Sequence, residues 1–483
     1  MKTAAILTTV ASIALAGFAA TAGQETSPPA MPTSPPTTAV SPPAVSDAPA
    51  DCNAAPAMRA PDARCGEPID GRDVAASDHA VGRAALAVPR VAVRVVLWPV
   101  VATTDVVEHY RLLDWMQALL TTDDGLVGVR PVVNYATGFV PSVGARLFYR
   151  RLPGHHEISA HFETAGASVL LGRLHFRTLE RMGFFFDATW NKRQDRLFAG
   201  TGANSAANLT AAGQGLGRYG SNALGADARW SHRLPARLVV LLHADVQRRI
   251  YQDTTVTGGP PVATLYGLPA ADCAAIGATF PCVNPLEMPG FANGLKVLHG
   301  GGALGVDLRD RGREGAGFSA FVDGTVARGV AGDPSEHATL SAESVLALGG
   351  INRTLLLRGR AAMVNRLGNA PIPFEELVSP SGQAGMRGFP EGRFRGESGV
   401  VGSAEYRWYI SSYLDASLFS DLGTVAGHNF SGLAQSQWFP TYGVGLRWFR
   451  TQGAYWDATP VGGFQVAYSP DYGVRLILSM ASF

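Results

Sequence analysis

The stretch Arg237-Leu238-Val239-Val240-Leu241-Leu242-His243-Ala244-Asp245-Val246-Gln247-Arg248-Arg249 alternates in polarity. Leu238, Val240, Leu242, Ala244 and Val246 fall on one side of an extended chain, and Arg237, His243, Asp245, Gln247 and Arg249 on the other. Successive side chains of a strand point to opposite faces. A strand of ~10 residues with one apolar and one polar face is what a wall between lipid and a watery lumen requires. A soluble sandwich has the same period, so the rest of the chain must decide.

Working outward, similar segments recur at 128–137, 142–151, 156–163, 168–177, 182–193, 222–232, 236–249, 299–310, 315–328, 337–348, 351–365, 398–410, 413–424, 441–449, 461–468 and 472–483. That is sixteen, an even number, as closure of an antiparallel barrel favours. The long connections 194–221, 250–298, 366–397 and 425–440 all follow odd-numbered segments, while 233–235, 311–314 and 349–350 follow even ones. Long outer loops alternating with short periplasmic turns are the expected asymmetry of a membrane barrel. The connection 450–460 is a longer exception on the short side. The expected fold is therefore all-β, a sixteen-stranded antiparallel transmembrane barrel over residues 128–483.

The chain ends agree. Lys2, an apolar run from Ala4 to Ala20 and the small-x-small site Ala20-Thr21-Ala22 form a signal-peptide pattern over residues 1–22. Residues 23–50 are rich in Pro, Ser and Thr and bury too little to fold, so a disordered linker is expected. Residues 51–127 hold an amphipathic helical stretch around Val106 to Leu120 and are expected to pack at, or plug, the periplasmic mouth. The chain closes on Val474-Arg475-Leu476-Ile477-Leu478-Ser479-Met480-Ala481-Ser482-Phe483, which resembles the terminal-aromatic sorting signal of outer-membrane barrels. By strict alternation Phe483 falls on the face opposite Leu476, Leu478 and Met480; a bulge near the end would realign it.

Composition narrows the class. Glycine is abundant at 56 residues, charged residues make up only 16% and apolar ones 46%, yet no long apolar run exists beyond the signal, which argues against a helical membrane protein. The net charge of +1 gives no nucleic-acid surface. The four cysteines form two local pairs, Cys52 with Cys65 and Cys273 with Cys282. In an exported chain these are disulfide candidates, and neither pair has the neighbouring His or Cys of a zinc site. No metal, nucleotide or phosphate-loop motif appears, so no cofactor is expected. His155 and His156 fall in a short turn and read as solvated histidines rather than part of a catalytic group, so the chain is not expected to be an enzyme.

One loop is chemically distinctive: Gly382-Gln383-Ala384-Gly385-Met386-Arg387-Gly388-Phe389-Pro390, between the eleventh and twelfth segments. It resembles the conserved loop of the BamA/TamA insertase and two-partner secretion superfamily, an apolar residue followed by Arg-Gly-aromatic. Ser403-Ala404-Glu405-Tyr406-Arg407 and Phe419-Ser420-Asp421-Leu422-Gly423-Thr424-Val425 resemble that family's twelfth and thirteenth strands. Asp307-Leu308-Arg309-Asp310 resembles its eighth-to-ninth turn, and Tyr442-Gly443-Val444-Gly445-Leu446-Arg447-Trp448 its fourteenth strand. Together the fragments cover about 125–483; the family's periplasmic repeats are not recognisable upstream.

The resemblance implies that the loop folds into the lumen and that Arg387 meets acids on the inner wall. Alternation independently places Glu405, Asp415 and Asp421 inward, opposite Tyr406, Leu418 and Leu422. Gly388 would allow a close backbone approach and Phe389 would anchor the loop. The implied function is assistance to protein, or lipid, insertion or transport at the cell outer membrane, with membrane lipids and client outer-membrane or secreted proteins as partners. The alternative is a diffusion channel or porin of the same architecture, which needs an open lumen where the Arg387 loop predicts an occupied one.

Overall fold

A computed structural model describes residues 120–480, apart from 123, 125, 154–155, 179–182, 203–215, 255, 257–258, 276, 278–281, 310–315, 351–352, 412–413 and 450–459. The expected signal peptide, linker and most of the 51–127 segment, with Cys52, Cys65, His155 and Phe483, lie outside them.

The described chain is a closed barrel in which each strand pairs antiparallel with its sequence neighbours and the last pairs with the first. The strands are β1 (Val127–Ala136), β2 (Ser142–Leu152), β3 (His156–Thr164), β4 (Val169–Thr178), β5 (Gly183–Phe198), β6 (Gly217–Arg233), β7 (Leu238–Asp253) and β8 (Leu295–Asp307). There follow β9 (Gly317–Gly329), β10 (Glu336–Gly350), β11 (Arg353–Arg366), β12 (Ser398–Ser411), β13 (Leu414–Ala426), β14 (Phe439–Phe449), β15 (Pro460–Ser469) and β16 (Gly473–Met480). All sixteen expected segments are strands, and the long connections leave from one rim.

Alternation sets the two faces of the wall. Val143, Leu147, Leu174, Leu242, Leu304 and Val326 point outward with half or more of their surface exposed. So broad an exposed apolar belt is unfavourable in water and suited to lipid. Between them, inward positions carry paired charges. Glu157 accepts from Arg146 at 3.0 Å and Arg150 at 2.6 Å, while Asp187 accepts from Arg173 at 2.7 Å.

The strands are of unequal length. β5, β6 and β7 run 16, 17 and 16 residues, longer than their alternation suggests. The upper ends of β5 and β6 are buried on both faces where the β7–β8 connection lies against them, while β7 keeps alternating, with Tyr251 buried between exposed Ile250 and Gln252. This connection carries two short helices, α1 (Val262–Tyr266) and α2 (Ala270–Ala275). Phe198, Tyr219, Tyr251, Val262, Met288, Phe291 and Phe374 form an apolar cap there. At the other extreme, β16 has 8 residues and β1 has 10. Among the described residues their seam is registered from Val133↔Met480 to Ala136↔Ile477, four pairs, and beyond Ala136 the Thr137 N–H donates to the Leu476 carbonyl at 2.9 Å.

Candidate functional site

The β11–β12 connection, residues 367–397, turns inward from the long-loop rim. At its tip Arg387 is buried, and every nitrogen of its guanidinium donates to the wall. Nε and Nη2 reach Asp421 Oδ2 and Oδ1 on β13 at 3.1 and 2.7 Å. Nη1 reaches Glu405 Oε2 on β12 at 2.5 Å, and Nη2 also reaches Ser403 Oγ at 3.1 Å. The backbone N–H of Arg387 donates to Asp421 Oδ2 at 3.0 Å. The guanidinium plane lies over the Phe419 ring, 3.5 Å from its centroid. A planar fork fits this set of acceptors and an ammonium does not.

The acceptors are themselves held. Asp421 has no exposed surface and also accepts from Ser403 Oγ at 2.5 Å and Thr441 Oγ1 at 3.0 Å. Arg407 Nε donates to Glu405 Oε1 at 2.5 Å. Burial alone draws the Arg387 guanidinium's proton affinity down, but Asp421 and Glu405 outweigh it and raise it. The cation is therefore permanent.

The flanking motif residues make this approach possible. A Cβ on Gly388 would fall 2.8 Å from Thr441 Cγ2. Met386 is fully buried above Gly423, where a Cβ would come 2.9 Å from its sulfur. Phe389 is fully buried, edge-on to Phe394 and Phe439 at 4.9 and 6.0 Å between centroids. Met386, Arg387, Gly388, Phe389, Glu405 and Asp421 thus converge on one lumen site. Asp415 also faces inward and pairs with Arg447 Nη2 at 3.0 Å, six residues further along β13 from Asp421. Cys273 and Cys282 meet in the β7–β8 loop, both buried, as two hydrogen-bonded thiols rather than a bond.

Sequence reading missed Arg475. It lies on β16, is 3% exposed, and its Nη1 donates to the carbonyls of Arg387 and Phe389 at 3.0 and 2.9 Å. The last strand therefore grips the loop backbone. Its inward phase between Val474 and Leu476 was visible; its backbone acceptors were not. A cavity of about 330 Å³ lies against the seam, lined by Asn134, Ala136 and Ile477 of the wall and Gln383 and Glu391 of the loop.

Fold and site together define a barrel of transmembrane type with an outer loop locked into its lumen. Its structural neighbours include BamA from Haemophilus ducreyi lacking POTRA domains 1–3 (14% identity, 73% of this chain and 69% of that chain, TM-score 0.47). CdiB from Escherichia coli is similar at 11% identity over 73% of this chain and 62% of that chain, with a TM-score of 0.43, so the chain spans less than two thirds of that protein. OccK10 (OpdN) of Pseudomonas aeruginosa is similar at 10% identity over 74% and 99%, with a TM-score of 0.31. No protein-family model and no curated sequence matches the chain.

Proposed function

We propose that this chain is an outer-membrane barrel that assists the insertion or translocation of proteins, or lipids, in the manner of the BamA/TamA family its motifs resemble. The observation that carries the reading is the Arg387 lock: a loop motif folded into the lumen and bound to Glu405 and Asp421 on the next two strands. An unrestricted diffusion channel needs an open lumen, and here the loop occupies part of it.

The seam supplies a mechanism. Parting β1 from β16 breaks a short register and frees strand edges that can template an incoming strand. Arg475 couples that event to the loop, because the strand that must move holds the backbone at Arg387 and Phe389. The belt of outward apolar side chains supports residence in a lipid bilayer.

A reversible seam lock tests the proposal. Tyr135 and Leu478 are directly opposed. The double variant Tyr135→Cys, Leu478→Cys, placed in lipid vesicles, is expected to speed folding of a denatured outer-membrane barrel when reduced. It should lose that activity when oxidised and regain it on reduction. If wild-type protein gives no acceleration but a steady open-pore conductance, the diffusion-channel reading replaces this one.

A further inference from the structure

We propose that His299, His337 and Glu376 form a binding site for a zinc-class divalent cation, which staples the β11–β12 loop to the wall at a second point. The strand register creates the site. His299 on β8 and His337 on β10 are both registered opposite Ala327 of β9. The two rings therefore stand at one level on the lumen face, two strands apart, with only a buried methyl group between them. Their centroids are 6.2 Å apart. Glu376 enters from the loop above.

The donor atoms converge. Glu376 Oε2 lies 3.2 Å from His299 Nε2 and 3.5 Å from His337 Nε2, and all three ligand atoms lie within 4.8 Å of one another. Zinc bonds of about 2.0–2.1 Å in a tetrahedron place neighbouring ligand atoms roughly 3.3 Å apart. Those contacts thus already have nearly the edge length such an ion needs. Two histidines and one carboxylate leave a fourth position for water.

Two independent features point to a ligand. His337 is 1% exposed; its Nδ1 has no hydrogen-bond partner and its Nε2 meets only Glu376, at 3.5 Å, a contact too long for a good hydrogen bond, so the buried ring is poorly satisfied unless something binds there. His299 carries a supporting carboxylate: its Nδ1 lies 2.9 Å from Asp245 Oδ1 on β7. A proton held on Nδ1 leaves the Nε2 lone pair facing Glu376, as in metal sites where an outer carboxylate orients the histidine. Arg249 Nη1 holds the other Glu376 oxygen at 3.2 Å. A lumen cavity of about 470 Å³ is lined by the supporting residues Asp245 and Arg249, beside the three ligands.

The site is tested on the full folded chain in detergent, stripped with chelator and titrated with Co²⁺ alone. One equivalent should give the intense visible absorption of tetrahedral cobalt. Zn²⁺ should displace it, and chelator should make the 367–397 loop more sensitive to protease. His299→Gln and His337→Gln should each weaken Co²⁺ binding at least tenfold while keeping heat-modifiable gel mobility. Unchanged binding in both variants overturns the proposal. Should the variants not fold, X-ray absorption on the wild-type zinc complex decides: two imidazoles in the shell support the site, and a shell without imidazole, or no binding at all, overturns it.

Discussion

The β5–β7 wall and the β16–β1 seam are parts of one sheet built to different heights. At about 3.3 Å per residue, a 17-residue β6 extends ~56 Å, while an 8-residue β16 extends ~26 Å. A membrane strand needs about 9–11 residues. The tall side exceeds that, and its surplus is buried under an apolar cap around Tyr219, Tyr251 and Phe374. The seam side has little strand to spare and draws on the loop instead, through Arg475 to the loop backbone and through Arg387 to β12 and β13. The tall side adds height and ladder to its own charged contacts with the loop, Arg249 to Glu375 and Glu376 among them; the seam side, short of strand, leans on its tether. A wall made to open has reason to be held by something releasable.

The largest expected effect is the loss of that tether. Arg387→Ala leaves Asp421 and Glu405 facing each other across a mostly buried site, and breaking a buried pair costs about 3–5 kcal/mol, less where lumen water screens it. Hydrogen exchange should quicken in β12–β16 and β1 while β5–β7 stays protected. Arg387→Lys should recover only part, because the ammonium cannot serve Asp421, Glu405 and Ser403 together. Equal loss of protection around the whole barrel would break the comparison.

A smaller effect is expected at Gly388. Adding a methyl group there collides with Thr441, which must give way at a cost of about 1–3 kcal/mol. Thr441→Ser removes the nearer carbon but keeps the hydroxyl that serves Asp421, so Gly388→Ala with Thr441→Ser should recover part of the thermal stability that Gly388→Ala loses. Smaller again is Arg475→Gln, about 1 kcal/mol, since the shorter side chain keeps a donor but not the reach. Its signature is local: oxidative closure of the Tyr135→Cys, Leu478→Cys pair should become slower or less complete, because β16 is no longer held to the loop.

Much of this was legible in the sequence, for physical reasons that differ by element. Alternation is local, so every strand could be found, as could the inward phase of Glu405 and Asp421. The upper ends of β5 and β6 could not, because Gly217 to Ser221 and most of Gln194 to Phe198 are buried on both faces and the period disappears. The Arg387 loop was readable as a motif. Arg475 was not, because its partners are carbonyls that any residue supplies. His299, His337 and Glu376 come from two strands and a loop, so no spacing announced them; only the register across Ala327 brings them together.

The last prediction concerns the tall side and leaves the fold untouched. Cys273 and Cys282 lie in the loop above β7 and β8, and the hydrogen bond with Cys282, together with burial, pushes the Cys273 thiol up to about 11. Only a thiolate attacks an alkylating reagent. At pH 8 a thiol of pKa ~8.5 is roughly a quarter ionised, whereas one near 11 is ionised in about one part in a thousand. In protein kept reduced, Cys273 should therefore react on the order of 10²-fold more slowly than an ordinary cysteine at pH 8. Its rate should climb about tenfold per pH unit until close to pH 11. Protein matured under oxidising conditions should not react at this pair at all and should give a Cys273–Cys282 linked peptide on non-reducing mapping, since two thiols already in contact need little movement to close. Modification should leave exchange at the β1–β16 seam unchanged. A rate that levels off near pH 8 would show that the two thiols do not share a proton in the folded loop, and a seam that responds to their alkylation would show that the two regions are less independent than their construction implies.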